Sequence, residues 1–228
     1  MSKGNTFENE ILLHIFQNAA IALIGDASGL QPSATAGNHY VSLHTADPGE
    51  AGNQQSSEAA YTNYARQAVV RSASGWTVSN NQVSNAAAIS FPQCGLTGAD
   101  ITHWAVGTAL SGTGKILYKA PLGSALQGSF TAKTDDTITI PGHSLSVNDR
   151  VAFYPIPGAT LPTGITEGTI YWVKTVSGAD ITISTTQGGA AVDITAIGNG
   201  VAIKAAVLSV TNGITPSFGI GALVINED

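Results

Sequence analysis

From Gly37 to the C-terminus the chain never holds an apolar stripe of helical period. It moves instead in runs of four to eight residues broken by turn formers. YVSLH, YARQAVV, WTVSNNQVSN, THWAVGT, KILYKA, FTAKTDDTITI, DRVAFY, TIYWVKTV, ADITIST and GVAIKAAVLSV follow one another with Gly, Pro, Asn and Asp between them. Short strands at this spacing imply an all-β sandwich or small barrel, because βαβ units would need intervening helical segments. Two hairpins can be placed. Thr77–Ser79 and Gln82–Ser84 flank Asn80-Asn81, a pair that tolerates positive φ, and Ile101–Gly107 and Lys115–Tyr118 flank a Gly-rich loop.

The segment before Gly37 reads differently. Phe7, Ile11, Ile15, Ala19 and Leu23 recur every four residues, and Leu12 and Phe16 widen the stripe. This predicts an amphipathic helix with Thr6 as N-cap, Glu8 and Glu10 in the first turn and Gly25 as its stop. It is no signal peptide, since acidic residues precede the apolar run, and it is too short to span a bilayer.

KILYKAPLGSAL and LSVTNGITPSFGIGALVI, residues 115–126 and 208–225, read as neighbouring strands of one sheet. The segment between them is rich in turns and can close on itself. The expected organisation is a β-sandwich or jelly-roll-like host domain with an N-terminal helix, residues 1–127 and 207–228, and an inserted small β-barrel-like domain, residues 128–206.

Composition limits the function classes. Charged residues make up 11% of the chain, against roughly 25% in an average soluble domain. The nine basic residues are scattered, so the clustered cationic footprint of a nucleic-acid binder is missing. A single cysteine, Cys94, excludes an intrachain disulfide framework and a multi-cysteine zinc site, and reads as a small buried hydrophobe.

YVSLHTADPGEAGNQ, residues 40–54, carries the densest chemistry: His44, Asp47 and Glu50, with His39 just upstream. In a strand, however, His39, Val41, Leu43 and Thr45 face one way and Tyr40, Ser42 and His44 the other, so the histidines diverge. Asp47-Pro48-Gly49-Glu50 fits a β-turn. A catalytic reading depends on His103 approaching from elsewhere. ALSGTGKI, residues 109–116, imitates a phosphate loop. Ala109 replaces its first glycine, Ile116 replaces the magnesium-binding hydroxyl, and a strand follows where a helix is needed. No GxSxG elbow occurs, His14 reads as a packing residue, and His143 lies in a turn. Trp76, Trp104 and Trp172 could line a carbohydrate site, but one tryptophan per sheet reads as core or interface, and strand alternation turns Tyr171 away from Trp172, which favours core over platform. Tyr154, Tyr171 and Trp172 are the insert's only candidates for a glycan platform. No catalytic, cofactor-binding or metal-ligating residue is assigned, and the protein is expected not to be an enzyme.

The motifs FENEILLHIFQN, YVSLHTADPGEAG, YARQAVV, VSNAAAISFPQ, THWAVGT, GKILY and FGIGALVI occur in the order found in a family of small bacteriophage virion proteins. The chain resembles that family over residues 7–126 and 207–228. Its members are commonly labelled tail fibre proteins, and similar small β-proteins serve as capsid decoration or cement. The intervening segment is similar to a module of phage fibre and capsid-surface proteins, with GHSLSVNDRV and GGAAVDIT as its marks. The resemblance implies a non-enzymatic virion component assembled in the host cytoplasm. It also implies a homo-oligomer, with a trimer expected, and no cofactor, nucleic acid or membrane. Capsid decoration, with the major capsid protein as partner, is the expected role; a tail fibre or other tail-associated receptor- or glycan-binding protein is the alternative. The polar stretch Gly49–Thr62, almost without apolar anchors, is either an arm that clasps a neighbouring subunit or a mobile loop.

Overall fold

The computed structural model describes residues 3–123 and 125–227, and it is all-β apart from the helix α1 (Asn5–Gln17). The helix is shorter than its stripe predicts. Gly4, in extended backbone, precedes it, and Thr6 lies inside it. Asn18 ends it in the left-handed conformation, φ 57°, and the Ala19 N–H closes back on the Leu13 carbonyl. The asparagine is held there from both sides: Nδ2 donates to the Ser33 carbonyl and Oδ1 accepts the Ser33 N–H. A residue that tolerates positive φ and pins a distant loop outcompetes one more helical turn. The buried face is therefore Leu12, Phe16 and Glu8, one position round from the expected Ile11–Ile15 line, while Leu23 is 81% exposed.

Eight strands follow: β1 (Asn38–His44), β2 (Gln67–Val70), β3 (Trp76–Ser79), β4 (Gln82–Asn85), β5 (Ile89–Ser90), β6 (Ala99–Ile101), β7 (His103–Gly107) and β8 (Ile116–Pro121). Four of them form an antiparallel sheet in the order β2-β1-β7-β8. The β3–β4 hairpin turns at Asn80, φ 55°, and β7–β8 is the second expected hairpin. Val41 and Leu43 of β1 and Trp104 and Val106 of β7 share one core with Trp76, Val83, Leu12 and Phe16. Phe16 meets Trp76 edge-on at 4.8 Å and His39 at 5.2 Å, which fixes the helix on the sheet. Burying each of Leu12 and Phe16 contributes about 2–3 kcal/mol.

The chain then builds a closed barrel from β9 (Ala125–Ala132), β10 (Ile138–Thr139), β11 (Arg150–Tyr154), β12 (Tyr171–Ser177), β13 (Asp180–Ser184) and β14 (Gly198–Ala205). Their order round the barrel is β10-β13-β12-β11-β14-β9, and β9 pairing with β10 closes it. Closure removes the exposed edges that six short strands would otherwise present. Phe130, Ile138, Val151, Phe153, Tyr171, Val173, Ile181 and Ile183 fill it, in a cluster that shares no residue with the first core.

The last strands, β15 (Leu208–Val210), β16 (Ser217–Phe218) and β17 (Val224–Asn226), pair with β6, β5 and β4. This corrects the expectation that residues 115–126 and 208–225 are sheet neighbours. β8 pairs with β7, Leu126 already belongs to the barrel, and the returning chain is dealt out to three separate partners. Strands of two or three residues are too short for alternation to choose a partner; contact with the preformed core does so.

Residues 49–62 are neither an arm nor a loose loop. They close over the outer face of β1. Gln54, fully buried, donates from Nε2 to the Tyr40 carbonyl and accepts the Ala109 N–H, while its own N–H reaches the Gly114 carbonyl. Beside this polar anchor, which satisfies backbone groups, Ala59 and Tyr61 of the same stretch are buried in the first core.

Candidate functional site

β1 ends in His44, directly opposite His103 on β7. His44 is fully buried and spoken for: Nδ1 donates to the Ser56 carbonyl, and Nε2 takes the Ser42 hydroxyl, both at 2.9 Å. Burial holds its pKa below the usual value, against the upward pull of the Ser56 carbonyl and of Glu58. His39, on the other face as alternation requires, bonds the Ile15 carbonyl through Nε2 at 2.8 Å. The two histidines diverge.

Beyond His44 the chain turns. Asp47 accepts the Gly49 N–H at 2.8 Å and Gly49 takes φ 77°, so Asp-Pro-Gly forms an Asx turn through its Asp side chain, and the hydrogen-bonded β-turn lies two residues later than expected, with the Gly52 N–H donating to the Gly49 carbonyl. The same carboxylate meets Lys119 of β8, with Nζ 2.9 Å from Oδ1, and that Nζ also lies 3.0 Å from Glu50 Oε1. Burial pulls the ammonium's pKa down, but the two carboxylates outweigh it and hold it above the usual lysine value. The barrel closes over this group. A Cβ built on Gly168 would stand 1.9 Å from Asp47 Oδ2. Tyr154 and Ile203 of the barrel complete a cavity of about 210 Å³ with Asp47, His103, Lys119, Ala120 and Pro121.

His103 is the unusual member. It is 1% exposed, its Nδ1 pairs with the Thr102 hydroxyl at 2.9 Å, and its buried Nε2 meets no partner among the described residues. Burial pushes its pKa down to about 4 although the Asp47 charge pulls the other way, so the ring is neutral near pH 7. The residues of the sequence motif therefore separate. His44 is committed to backbone and serine, Glu50 faces solvent, and Asp47, His103 and Lys119 converge where the barrel meets the sheet.

The remaining candidates hold structural positions. His14 Nδ1 bonds the Ala19 carbonyl, and His143 Nδ1 accepts the Leu145 N–H. Cys94 is buried and directs its thiol at the Thr97 carbonyl. The 109–116 loop is tied down by Arg66, which donates to the carbonyls of Ala109 and Gly112 while pairing through two nitrogens with Glu58. Trp76 and Trp104 are core, Tyr171 is buried, and Trp172 lies on the outside beneath Arg150, whose guanidinium carbon is 3.7 Å from the ring centre. That stacked arginine occupies the face a sugar would need. Among the described residues no three His, Cys, Asp or Glu side chains are placed to hold a metal ion, and no helix is long and apolar enough to cross a membrane.

Sequence reasoning missed Lys119, Arg66 and Gln54. Lys119 stands opposite Ala105 and Arg66 belongs to no strand, so only a known register brings either to its partners.

The model of a family described as Podophage GP4 fiber I protein gp80 matches residues 2–148, which is 147 of 228 positions. The matched stretch takes in α1, the four-stranded sheet and the Asp47–Lys119 cluster, and runs through β9 and β10 into the barrel. No curated protein matches the chain.

Proposed function

The chain belongs to the Podophage GP4 fiber I protein gp80 family, and from that premise we propose that it is a fibre component carrying its barrel as an outward module. It is a phage virion structural protein. In this reading the helix-bearing part assembles with other subunits, as a homotrimer, and the barrel of β9 to β14, which begins at Ala125 where residue 128 was expected, is the module it carries. Its work is mechanical and adhesive.

The observation that carries the reading is the neck of the barrel. β9 and β14 run side by side there, with Ala125 opposite Lys204, and just outside them the Ala206 N–H donates to the Leu122 carbonyl at 3.0 Å. Adjacent ends and a separate core are what a module inserted into a loop requires. The family match reaches β9 and β10 and stops before β11, β12, β13 and β14. Capsid decoration is the competing role, favoured by the low charge content, which suits permanent lattice packing against the major capsid protein.

Antibody labelling of purified virions, with copy number from quantitative mass spectrometry, separates the two. Label on fibres at a few to a few dozen copies is expected. Label over the shell at hundreds of copies would put the decoration reading in its place.

A further inference from the structure

We propose that Lys119 and Asp47 are a self-modification site, joined in the mature protein by an amide bond between Nζ and Cγ. Three features converge on this pair. The nitrogen lies 2.9 and 3.2 Å from the two carboxylate oxygens, so the fold holds Nζ beside the Asp47 carboxyl group and makes their encounter intramolecular. A second carboxylate, Glu50, sits 3.0 Å from the same nitrogen, placed to relay a proton, and its exposure lets it exchange that proton with water. The pair itself is enclosed, with side chains 17% and 10% exposed, and Gly168 of the barrel presses against the Asp47 carboxylate.

The step balances without any other reactant. A proton passes from the Lys119 ammonium to the Asp47 carboxylate, leaving an amine and a carboxylic acid. Nζ attacks Cγ and the C–N bond forms. Glu50 takes a proton from the nitrogen and returns it to the departing hydroxyl, the C–O bond breaks, and one water leaves. Two charges vanish from a largely buried site, which removes the desolvation penalty they carry there. The adjoining cavity of about 210 Å³ has room for the water, and the unpartnered His103 Nε2 gives it a hydrogen-bond partner.

Other lysine–aspartate pairs lack this combination. Lys204–Asp149 is short, 2.6 Å, but more exposed, and Lys133–Asp180 is 3.6 Å apart on the surface. The proposed bond also sits where a fibre would need it. β8 is the edge strand that leads into the barrel, and tying Lys119 to the loop after β1 stops tension on the barrel from peeling β8 off β7.

Intact-mass spectrometry of the purified full-length protein tests this. The expected result is a mass one water below that of the sequence, and a digest containing one branched peptide that joins the Asp47 and Lys119 segments. Lys119→Arg, which keeps the charge but cannot form the amide, should restore the full mass, and Glu50→Gln should leave most molecules uncondensed. A wild-type protein at full sequence mass overturns the proposal. So does a water deficit that persists in Lys119→Arg, because the loss then arises elsewhere. The branched peptide is read on wild type alone, so the test survives a variant that fails to fold.

Discussion

The backbone N–H of Ala206 donates to the carbonyl of Leu122 at 3.0 Å, and Leu122 in turn donates to Thr102, so the chain leaves for the barrel and returns from it beside the start of β7. Everything between passes through this two-strand neck.

Joining Leu122 to Ala206 through a short Gly-Ser bridge should therefore leave the helix-bearing part folded. Its core contains no barrel residue, and loop closure across a short bridge costs little. A soluble product with one cooperative thermal transition is expected. Insoluble material, or a melt without cooperativity, would show that the barrel is required for the rest to fold.

The helix gives a graded test. Leu12 is fully buried while Ile15 is only partly so, although both belong to the apolar stripe. Leu12→Asp should cost several kcal/mol, because it leaves a carboxylate unpaired in the core, and Ile15→Asp distinctly less. Urea denaturation measures the difference. If Ile15→Asp proves the more damaging and also breaks up an oligomer, the helix uses that side against another subunit.

Arg66 should be among the most sensitive polar positions. It is 4% exposed, pairs with Glu58 through two nitrogens and holds the carbonyls of Ala109 and Gly112. Arg66→Ala leaves the Glu58 charge with only the Tyr64 hydroxyl and strands both carbonyls, for an expected loss of about 3–5 kcal/mol. Arg66→Lys should recover only a minor part, since a single ammonium cannot reproduce the planar fork. Equal stability of Arg66→Lys and wild type in denaturant would refute this account.

Acid should weaken the fold before the carboxylates titrate. Burial holds the pKa of His103 at about 4, and those of His44 and His39 below normal, against an unfolded value of 6.5. The unfolded chain then binds more protons than the folded one between these values. Stability from these groups is complete above about pH 6.5 and drains away as the pH falls toward 4. Burial is the largest cause for His103; Asp47 and Lys119, while uncondensed, pull in opposite directions, with His44 alongside. His103 alone accounts for up to about 3 kcal/mol of this slope. Melting temperature measured from pH 7 to pH 4 should fall steadily, and His103→Gln should flatten the lower part of the curve. An unchanged curve in that variant would mean that His103 is not buried neutral.

What the sequence could settle was local. Alternation and turn chemistry marked the strands, Asn80-Asn81 marked a hairpin, and Asp-Pro-Gly marked a change of direction after His44, made by the Asp47 side chain with the backbone turn following at Gly49–Gly52, because such dihedral and hydrogen-bond preferences act within a few residues. The divergence of His39 from His44, and of Tyr171 from Trp172, followed from the period of a strand. The same local logic failed where distant groups decided. Helix α1 stops at Asn18 because Ser33 holds it, residues 49–62 are anchored by Gln54 reaching across to Tyr40, Ala109 and Gly114, and the returning strands after Leu208 found three partners where one was expected. Most of all, Asp47 and Lys119 stand 72 positions apart in the sequence and 2.9 Å apart in the fold. Register across β1, β7 and β8 creates that contact and the barrel encloses it. Charge attraction and burial depend on distance in space, and only the tertiary structure sets that distance.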